Sequence, residues 1–233
     1  MKILIVAATE LEIRPLLTEI NFKNSANNFS QGFMFKGHSL DVLITGIGMV
    51  AAAYHLGKAL ANQQYDFAFN LGLAGSFKGQ GAGEGSAVAL GEVVHVTSDR
   101  LVELGIGQPD GFVSFAELDF LPEGGCAFKS NELPFACEAL NALPKVSGVT
   151  VNKITADKKK INMVVEQFHP AVESMEGAAF LYACQEEGLP CIQLRAVSNY
   201  AGVRDKNEWN IPLAVRNLNK TALEVLNFRM ERG

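Results

Sequence analysis

The 233-residue chain has little of what marks secreted, metal-bound or membrane-embedded proteins. Its four cysteines, Cys126, Cys137, Cys184 and Cys191, show no CxxC spacing. Met1–Ala8 is too short for a signal peptide, so these thiols read as reduced core residues of a cytoplasmic protein and not as a disulfide frame. His38, His55, His95 and His169 are equally scattered, and no pair has metal-ligand spacing on one helix; no metal is expected. No apolar run approaches the ~20 residues needed to cross a bilayer, which excludes a helical membrane anchor. Positive charge is also scarce, with 20 Lys+Arg against 25 Asp+Glu and a formal net charge of −5. Nucleic acid calls for clustered Lys and Arg. The one basic cluster, Lys158-Lys159-Lys160, opens a helical pattern and is most simply a solvated face. Repeats, linkers and low-complexity tracts are absent, and Trp209 is the only tryptophan.

What is present is a globular balance of 48% apolar and 19% charged residues, which excludes wholesale disorder. Residues 1–233 are expected to form one domain, since single α/β domains commonly reach ~200–250 residues. Strand-like and helix-like stretches alternate throughout. Lys2–Ala8 is a continuous apolar run, as in a strand buried on both faces. Helical spacing follows over Glu10–Ile20. Gly32–Lys36 and Leu40–Thr45 suggest a hairpin around Gly37-His38-Ser39. Met49–Asn62 is an Ala-rich helix, and Phe67–Leu73 and Ala87–Thr97 are strands. Residues 98–130 lack periodicity and are expected to be a long functional loop region. Then come a helix over Leu133–Leu143, a strand over Val149–Ile154 and a helix over Lys159–Phe168. A helix over Gly177–Glu187, a strand over Cys191–Val197 and a helix over Asn210–Met230 complete the chain. The pattern predicts an α/β domain around a central sheet.

Gly46-Ile47-Gly48-Met49-Val50-Ala51 fits GxGxxG/A between a strand and a helix, where a dinucleotide pyrophosphate could bind. The context argues against it: Asp66 lies at roughly the right distance (~20 residues) but opens the next strand, whereas a ribose-binding acid sits at a strand end. The turn would still bring backbone around Ile47 close to a small ligand. Asn70-Leu71-Gly72-Leu73-Ala74-Gly75-Ser76 is a second Gly-rich strand end, equally readable as a turn or a ligand contact. Two such ends suggest a crevice at the strand C-termini.

Glu10 and Glu12 follow the first strand. Carboxylates favour a helix N-terminus electrostatically; the functional alternative is a general base that deprotonates water. In Ser174-Met175-Glu176-Gly177-Ala178-Ala179, Glu176 falls between an apolar strand and a small-residue helix face. A carboxylate buried there needs donors, and the vicinal hydroxyls of a ligand would supply two. Arg195-Ala196-Val197-Ser198-Asn199-Tyr200 ends the last strand in polar side chains, where α/β ligands bind. Trp209 follows the polar stretch Gly202–Glu208, as a lid aromatic or as the packed start of the last helix.

In this order the segments KILIVAATELE, TGIGMVAAA, NLGLAGS, SMEGAA and LRAVSN resemble the nucleoside phosphorylase/nucleosidase superfamily, especially its methylthioadenosine/S-adenosylhomocysteine nucleosidases. The resemblance implies a three-layer α/β/α fold with a mixed, barrel-like central sheet, assembled as a homodimer or higher homo-oligomer. It implies a small nucleoside as substrate and no cofactor. Glu12 would activate the attacking water, Glu176 would grip the ribose hydroxyls with Met175 packed on the sugar, and Arg195 and Ser198 would support the base site. Ile47, Gly75, Ser76 and Trp209 complete the expected substrate contacts, with Asn199 joining Glu12 as catalytic.

Adenine-releasing members carry Asp where this chain has Asn199. A protonated carboxyl can donate to N7 and accept from the N6 amino group of adenine. An amide can instead donate Nδ2–H to the O6 of hypoxanthine while Oδ1 accepts from a protonated N7. Glu103-Leu104-Gly105, Asp110–Ser114, SMEGAA itself, and Ser198-Asn199-Tyr200 followed by Trp209–Ala214 likewise resemble the hypoxanthine-releasing branch, the futalosine hydrolases of an alternative menaquinone pathway. Phosphorylases of this fold hold phosphate with an early GDPxR-type loop and an Arg before the second Gly-rich turn. Here those places read Ala8–Glu12 and Asn70, so phosphate would meet Glu12 and no matching cation. Hydrolysis of the N-glycosidic bond is therefore expected, with adenine release or phosphorolysis as the alternatives.

Overall fold

A computed structural model describes residues 1–22, 29–77, 88–108, 111–115, 117–121, 125–130, 133, 135–154, 156–203 and 205–227. The order is β1 (Lys2–Ala7), α1 (Glu10–Glu19), β2 (Phe29–Phe35), β3 (His38–Ile44), α2 (Met49–Asn62), β4 (Phe67–Ser76) and β5 (Val93–Leu101). It continues with β6 (Gly105–Gln108), β7 (Gly111–Ser114), β8 (Ala127–Lys129), α3 (Glu138–Asn141), β9 (Lys145–Thr150) and α4 (Lys158–Phe168). Last come β10 (Val172–Ser174), α5 (Gly177–Glu186), β11 (Cys191–Tyr200) and α6 (Ile211–Leu226).

The main sheet runs β10-β9-β5-β11-β4-β1-β3-β2, and β10 also pairs with β4. That extra pairing closes β4, β11, β5, β9 and β10 into a mixed barrel, from which β1, β3 and β2 extend as an open flank. Strand β4 changes partner along its length. Its first half lies parallel to β1, from Ile3 opposite Phe67 to Val6 opposite Asn70. Its end pairs antiparallel with β10, Gly75 opposite Glu173 and Ser76 opposite Val172. Between these pairings the sheet splits, and a split at strand C-termini is where open α/β folds leave room for ligands.

The continuous apolar reading of β1 is met on both faces. Ile3 and Ile5 pack with Ile13, Leu16 and Leu218 of α1 and α6. Leu4 and Val6 face Leu56, Phe180 and Leu181 of α2 and α5. Helices thus cover the sheet on two sides, the three-layer arrangement expected. All four cysteines are buried, and none is in a disulfide.

Several boundaries differ from expectation. The hairpin turns at Lys36 and Gly37, both with positive φ (50° and 86°), and Phe35 pairs with His38; His38 and Ser39 belong to the strand. Residues 98–130 are not one loop: β5 extends to Leu101, and β6, β7 and β8 follow. Strands of three or four residues are too short to show periodicity. The strand expected at Val149–Ile154 lies four residues earlier, because β9 begins with exposed Lys145. Helix α3 is one turn only, with Cys137 still extended at its N-cap, and Phe135 packs against Phe67, ring centroids 5.4 Å apart, instead of joining the helix. Ala87, Asp110 and Met230, included in the sequence reading, lie outside the described residues.

Candidate active site

At the split in the sheet lies a cavity of about 280 Å³, walled by the ends of β1, β4, β10 and β11 and by the starts of α1, α2, α5 and α6. Glu12, Ile47, Gly75, Met175, Glu176, Ser198, Asn199 and Trp209 all line it. Arg195 and Ser76 do not. A larger cavity of about 550 Å³, beside β5 and α3, has Lys129, Lys145 and His95 in its walls and, among the described residues, no carboxylate. His95 is held neutral there, its pKa lowered to about 4 by burial and by Lys145.

Glu12 is fixed from three sides. Its Oε2 accepts from the Thr9 backbone N–H (2.9 Å) and the Thr9 hydroxyl (3.0 Å), and its Oε1 accepts from the Leu73 N–H (3.1 Å). Thr9 and Glu12 are the two ends of a capping box that starts α1, the S/T-x-x-E pattern. The signal stood in the sequence as Thr9-Glu10-Leu11-Glu12 but identified only the acids. Glu10 is absent from the cavity wall. Burial raises the Glu12 carboxyl above its ordinary value, opposed chiefly by the Arg195 charge. Farther along α1, the Asn219 side chain enters the helix ladder: its Nδ2 donates to the Glu12 carbonyl (2.8 Å) and its Oδ1 accepts from the Leu16 N–H (2.9 Å).

Glu176 is the N-cap residue of α5. Its Oε1 accepts from the Gly48 N–H at 2.9 Å. Gly46 and Gly48 both have positive φ (84° and 96°), so the tight turn of the GxGxxA segment presents its amide to a carboxylate of the same chain. That replaces the phosphate of the dinucleotide reading with an internal anion. Ile47, at the tip of this turn, is 65% exposed and reaches the cavity rim.

Arg195 is 1% exposed, with Nη1 4.0 Å from Glu176 Oε2. It fits because its register partner on β4 is Gly72; a Cβ there would overlap Arg195 Nη1. The same point is 3.2 Å from Glu12 Oε1, so the guanidinium serves both carboxylates from below. Arg195, expected to support the base site, thus lies outside the cavity wall and beside the two carboxylates. Behind it, buried Asp99 accepts from Thr150 Oγ1 (2.7 Å) and Gln193 Nε2 (2.9 Å). Burial raises Asp99 to about 6 against these hydrogen bonds and the Arg195 charge. Gly177 is required here, since a Cβ would overlap Asp99 Oδ2.

At the other end of the cavity β11 bulges between Val197 and Asn199. Ser198 donates to Asn199 Oδ1 at 2.8 Å, and Asn199 Nδ2 donates to the Tyr200 carbonyl at 3.2 Å. A carbonyl can only accept, so Nδ2 is the amide atom that faces Tyr200. One Nδ2 hydrogen and one Oδ1 lone pair remain for a ligand. Ser76, expected at the site, is instead wholly buried in the pairing with Val172 and Tyr200. Successive strand residues face opposite sides, so with Gly75 turned to the cavity Ser76 turns away. Trp209 lines the cavity while its Nε1 donates to the Val203 carbonyl at 3.2 Å. Sequence reasoning missed Thr9, Asp99 and Glu173, the last a buried cavity residue. Among the described residues, no group of three or more His, Cys, Asp or Glu could hold a metal ion, and no helix is long and apolar enough to cross a membrane.

The profile of the Phosphorylase superfamily matches residues 2–227. The chain belongs to that superfamily. Among relatives of this phosphorylase-superfamily protein, futalosine hydrolase of Acidothermus cellulolyticus is 30% identical over 76% of this chain and 71% of its own. The 5′-methylthioadenosine/S-adenosylhomocysteine nucleosidase of Bacillus cytotoxicus is also 30% identical, over 98% of this chain and 96% of its own. In fold, the chain matches futalosine hydrolase of Helicobacter pylori with a TM-score of 0.79, covering 97% of each chain at 18% identity. These relatives place the chain among the superfamily's N-glycosyl hydrolases.

Proposed function

We propose that this protein hydrolyses the N-glycosidic bond of futalosine and releases hypoxanthine, a cytoplasmic step of menaquinone biosynthesis. The observation that carries the reading is the Asn199 amide, oriented by Ser198 and the Tyr200 carbonyl with one donor and one acceptor left over. That pair complements O6 and a protonated N7.

Glu12 takes the proton of a water that attacks the anomeric carbon as the bond to N9 breaks. The electron pair departs onto the purine, which leaves as the neutral base with a solvent-derived proton on N7 held by Asn199 Oδ1. Glu176 accepts from the 2′- and 3′-hydroxyls, and Met175 packs on the sugar. Arg195 keeps the two buried carboxylates tolerable so close together. Thr9, whose N–H and hydroxyl are occupied by Glu12, is unavailable to phosphate, which supports water as nucleophile. Exposed Val50, Tyr54 and Tyr182 on α2 and α5 support assembly as a homo-oligomer.

Adenine release is the second reading, favoured by the similarity to the Bacillus cytotoxicus nucleosidase over nearly its whole length. Incubating the protein with futalosine or with methylthioadenosine, without phosphate, and identifying the base by chromatography separates the two. Hypoxanthine from futalosine is the expected product; adenine as the only product would refute the proposal.

A further inference from the structure

Gly75 stands in a register row with a polar residue on each side. On β10 its partner is Glu173, and on β11 it is Asn199. A Cβ at Gly75 would lie 3.2 Å from both Glu173 Oε1 and Asn199 Nδ2. The bare glycine therefore leaves a floor between an amide and a carboxyl, both in the cavity wall. Glu173 is 4% exposed, and its Oε1 has no hydrogen-bond partner. An unpartnered buried oxygen costs free energy unless something that enters the cavity satisfies it. The charged groups around the cavity are Glu12 and Glu176 in its wall and Arg195 beside Glu176, while Gly75 and Val149, opposite Glu173 on β4 and β9, are uncharged. None of the three charges perturbs Glu173: burial alone raises it, to about 7.

We propose that Glu173 is a second base-recognising residue, which brackets the purine with Asn199 across Gly75 and accepts the N1–H that a 6-oxopurine carries and adenine lacks. This rests on the purine-releasing reading above and deepens it. With Asn199 on the N7 and O6 side, N1 is the next ring atom beyond O6. The ionised carboxylate accepts from the N1–H of hypoxanthine, but it opposes the N1 lone pair of adenine. The protonated carboxyl can donate to adenine N1. Hypoxanthine therefore draws Glu173 toward the ionised form, and adenine toward the protonated form.

Binding of each free base, measured calorimetrically at pH 7 in two buffers of different ionisation enthalpy, reads this directly. Hypoxanthine should release a proton and adenine should take one up. In Glu173→Gln both exchanges should vanish. An amide also suits either base, so the hypoxanthine-to-adenine affinity ratio at pH 8.5 should fall about tenfold. Proton exchange of the same sign for both bases in the wild type overturns the proposal even if the variant does not fold. So does an unchanged affinity ratio in Glu173→Gln. Those results leave the hypoxanthine reading standing, whereas wild-type protein that cleaves adenine and hypoxanthine nucleosides equally well refutes that reading itself.

Discussion

The side chain of Asn219, on the last helix, clamps the backbone of Glu12: its Nδ2 donates to the Glu12 carbonyl at 2.8 Å, and its Oδ1 accepts from the Leu16 N–H. A residue 207 positions away in sequence thus sets where the proposed base stands. Pro15, one position before Leu16, has no N–H of its own to hold this turn. Asn219→Leu should lower stability by ~1–3 kcal/mol through the unpaired backbone groups. It should also reduce kcat by about tenfold or more with little change in KM, because small misplacements of a catalytic group are costly. Urea denaturation and steady-state kinetics on the same preparation check both.

Glu12→Gln should lower kcat by at least ~10²-fold, the low end for a positioned general base, while base and substrate still bind. Because burial raises the Glu12 carboxyl, kcat/KM should fall on the acid side at a pH above the ordinary carboxylate range. A variant that retains wild-type turnover removes Glu12 from the mechanism.

Arg195 is the only countercharge within 4.0 Å of Glu176 among the described residues, and its charge also opposes the rise of Glu12. Arg195→Met should destabilise the fold by ~3–5 kcal/mol, the range for breaking a buried pair by removing one partner. The acid limb of kcat/KM should move to higher pH, since Glu12 loses the charge that lowers it. An unchanged limb would separate Arg195 from Glu12.

Glu173 provides a stability prediction with a definite sign. Its carboxyl rises from 4.5 in the unfolded chain to about 7 in the folded protein, so between those values the folded state holds a proton that the unfolded state has lost. Stability then falls as pH rises through that window. At ~1.4 kcal/mol per pH unit, the full effect is about 3 kcal/mol. Asp99, raised from 3.8 to about 6, adds a loss of the same sign at lower pH. Glu173→Gln should therefore match the wild type near pH 4.5 and exceed it at pH 8 in chemical denaturation. Equal stability at both pH values would contradict the burial argument.

The parts of the site legible in the sequence were those announced by local chemistry. Glu12 after a buried strand, Glu176 before a small-residue helix and Asn199 at a polar strand end each stand out among apolar neighbours, and the structure brings them to one cavity. What the sequence hid depends on register between distant strands. Glu173 looks like any polar residue on a short strand until β10 is laid against Gly75. Asp99 fell in a stretch read as loop, because the polar run Ser98-Asp99-Arg100 near the end of β5 breaks the apolar pattern of that strand. Arg195 and Ser76 look like site residues in a one-dimensional motif, yet Gly72 and the alternation of β4 turn them inward. The helices α2 and α5 were legible nearly to the residue because their apolar spacing is local.

The proposed selection of a 6-oxopurine by Asn199 is read out by a pair of nucleosides sharing one 5′ group and differing only in hypoxanthine or adenine. Adenine would set its N6 donor against Nδ2, and flipping the amide only moves the mismatch to N7–H. A mispaired buried polar group costs ~1–3 kcal/mol, roughly 5- to 150-fold. The ratio of kcat/KM for the two nucleosides should favour hypoxanthine by at least about tenfold in the wild type, and Asn199→Asp should erode it. Wild-type protein that cleaves the adenine member as well as the hypoxanthine member would show that Asn199 does not select a 6-oxopurine.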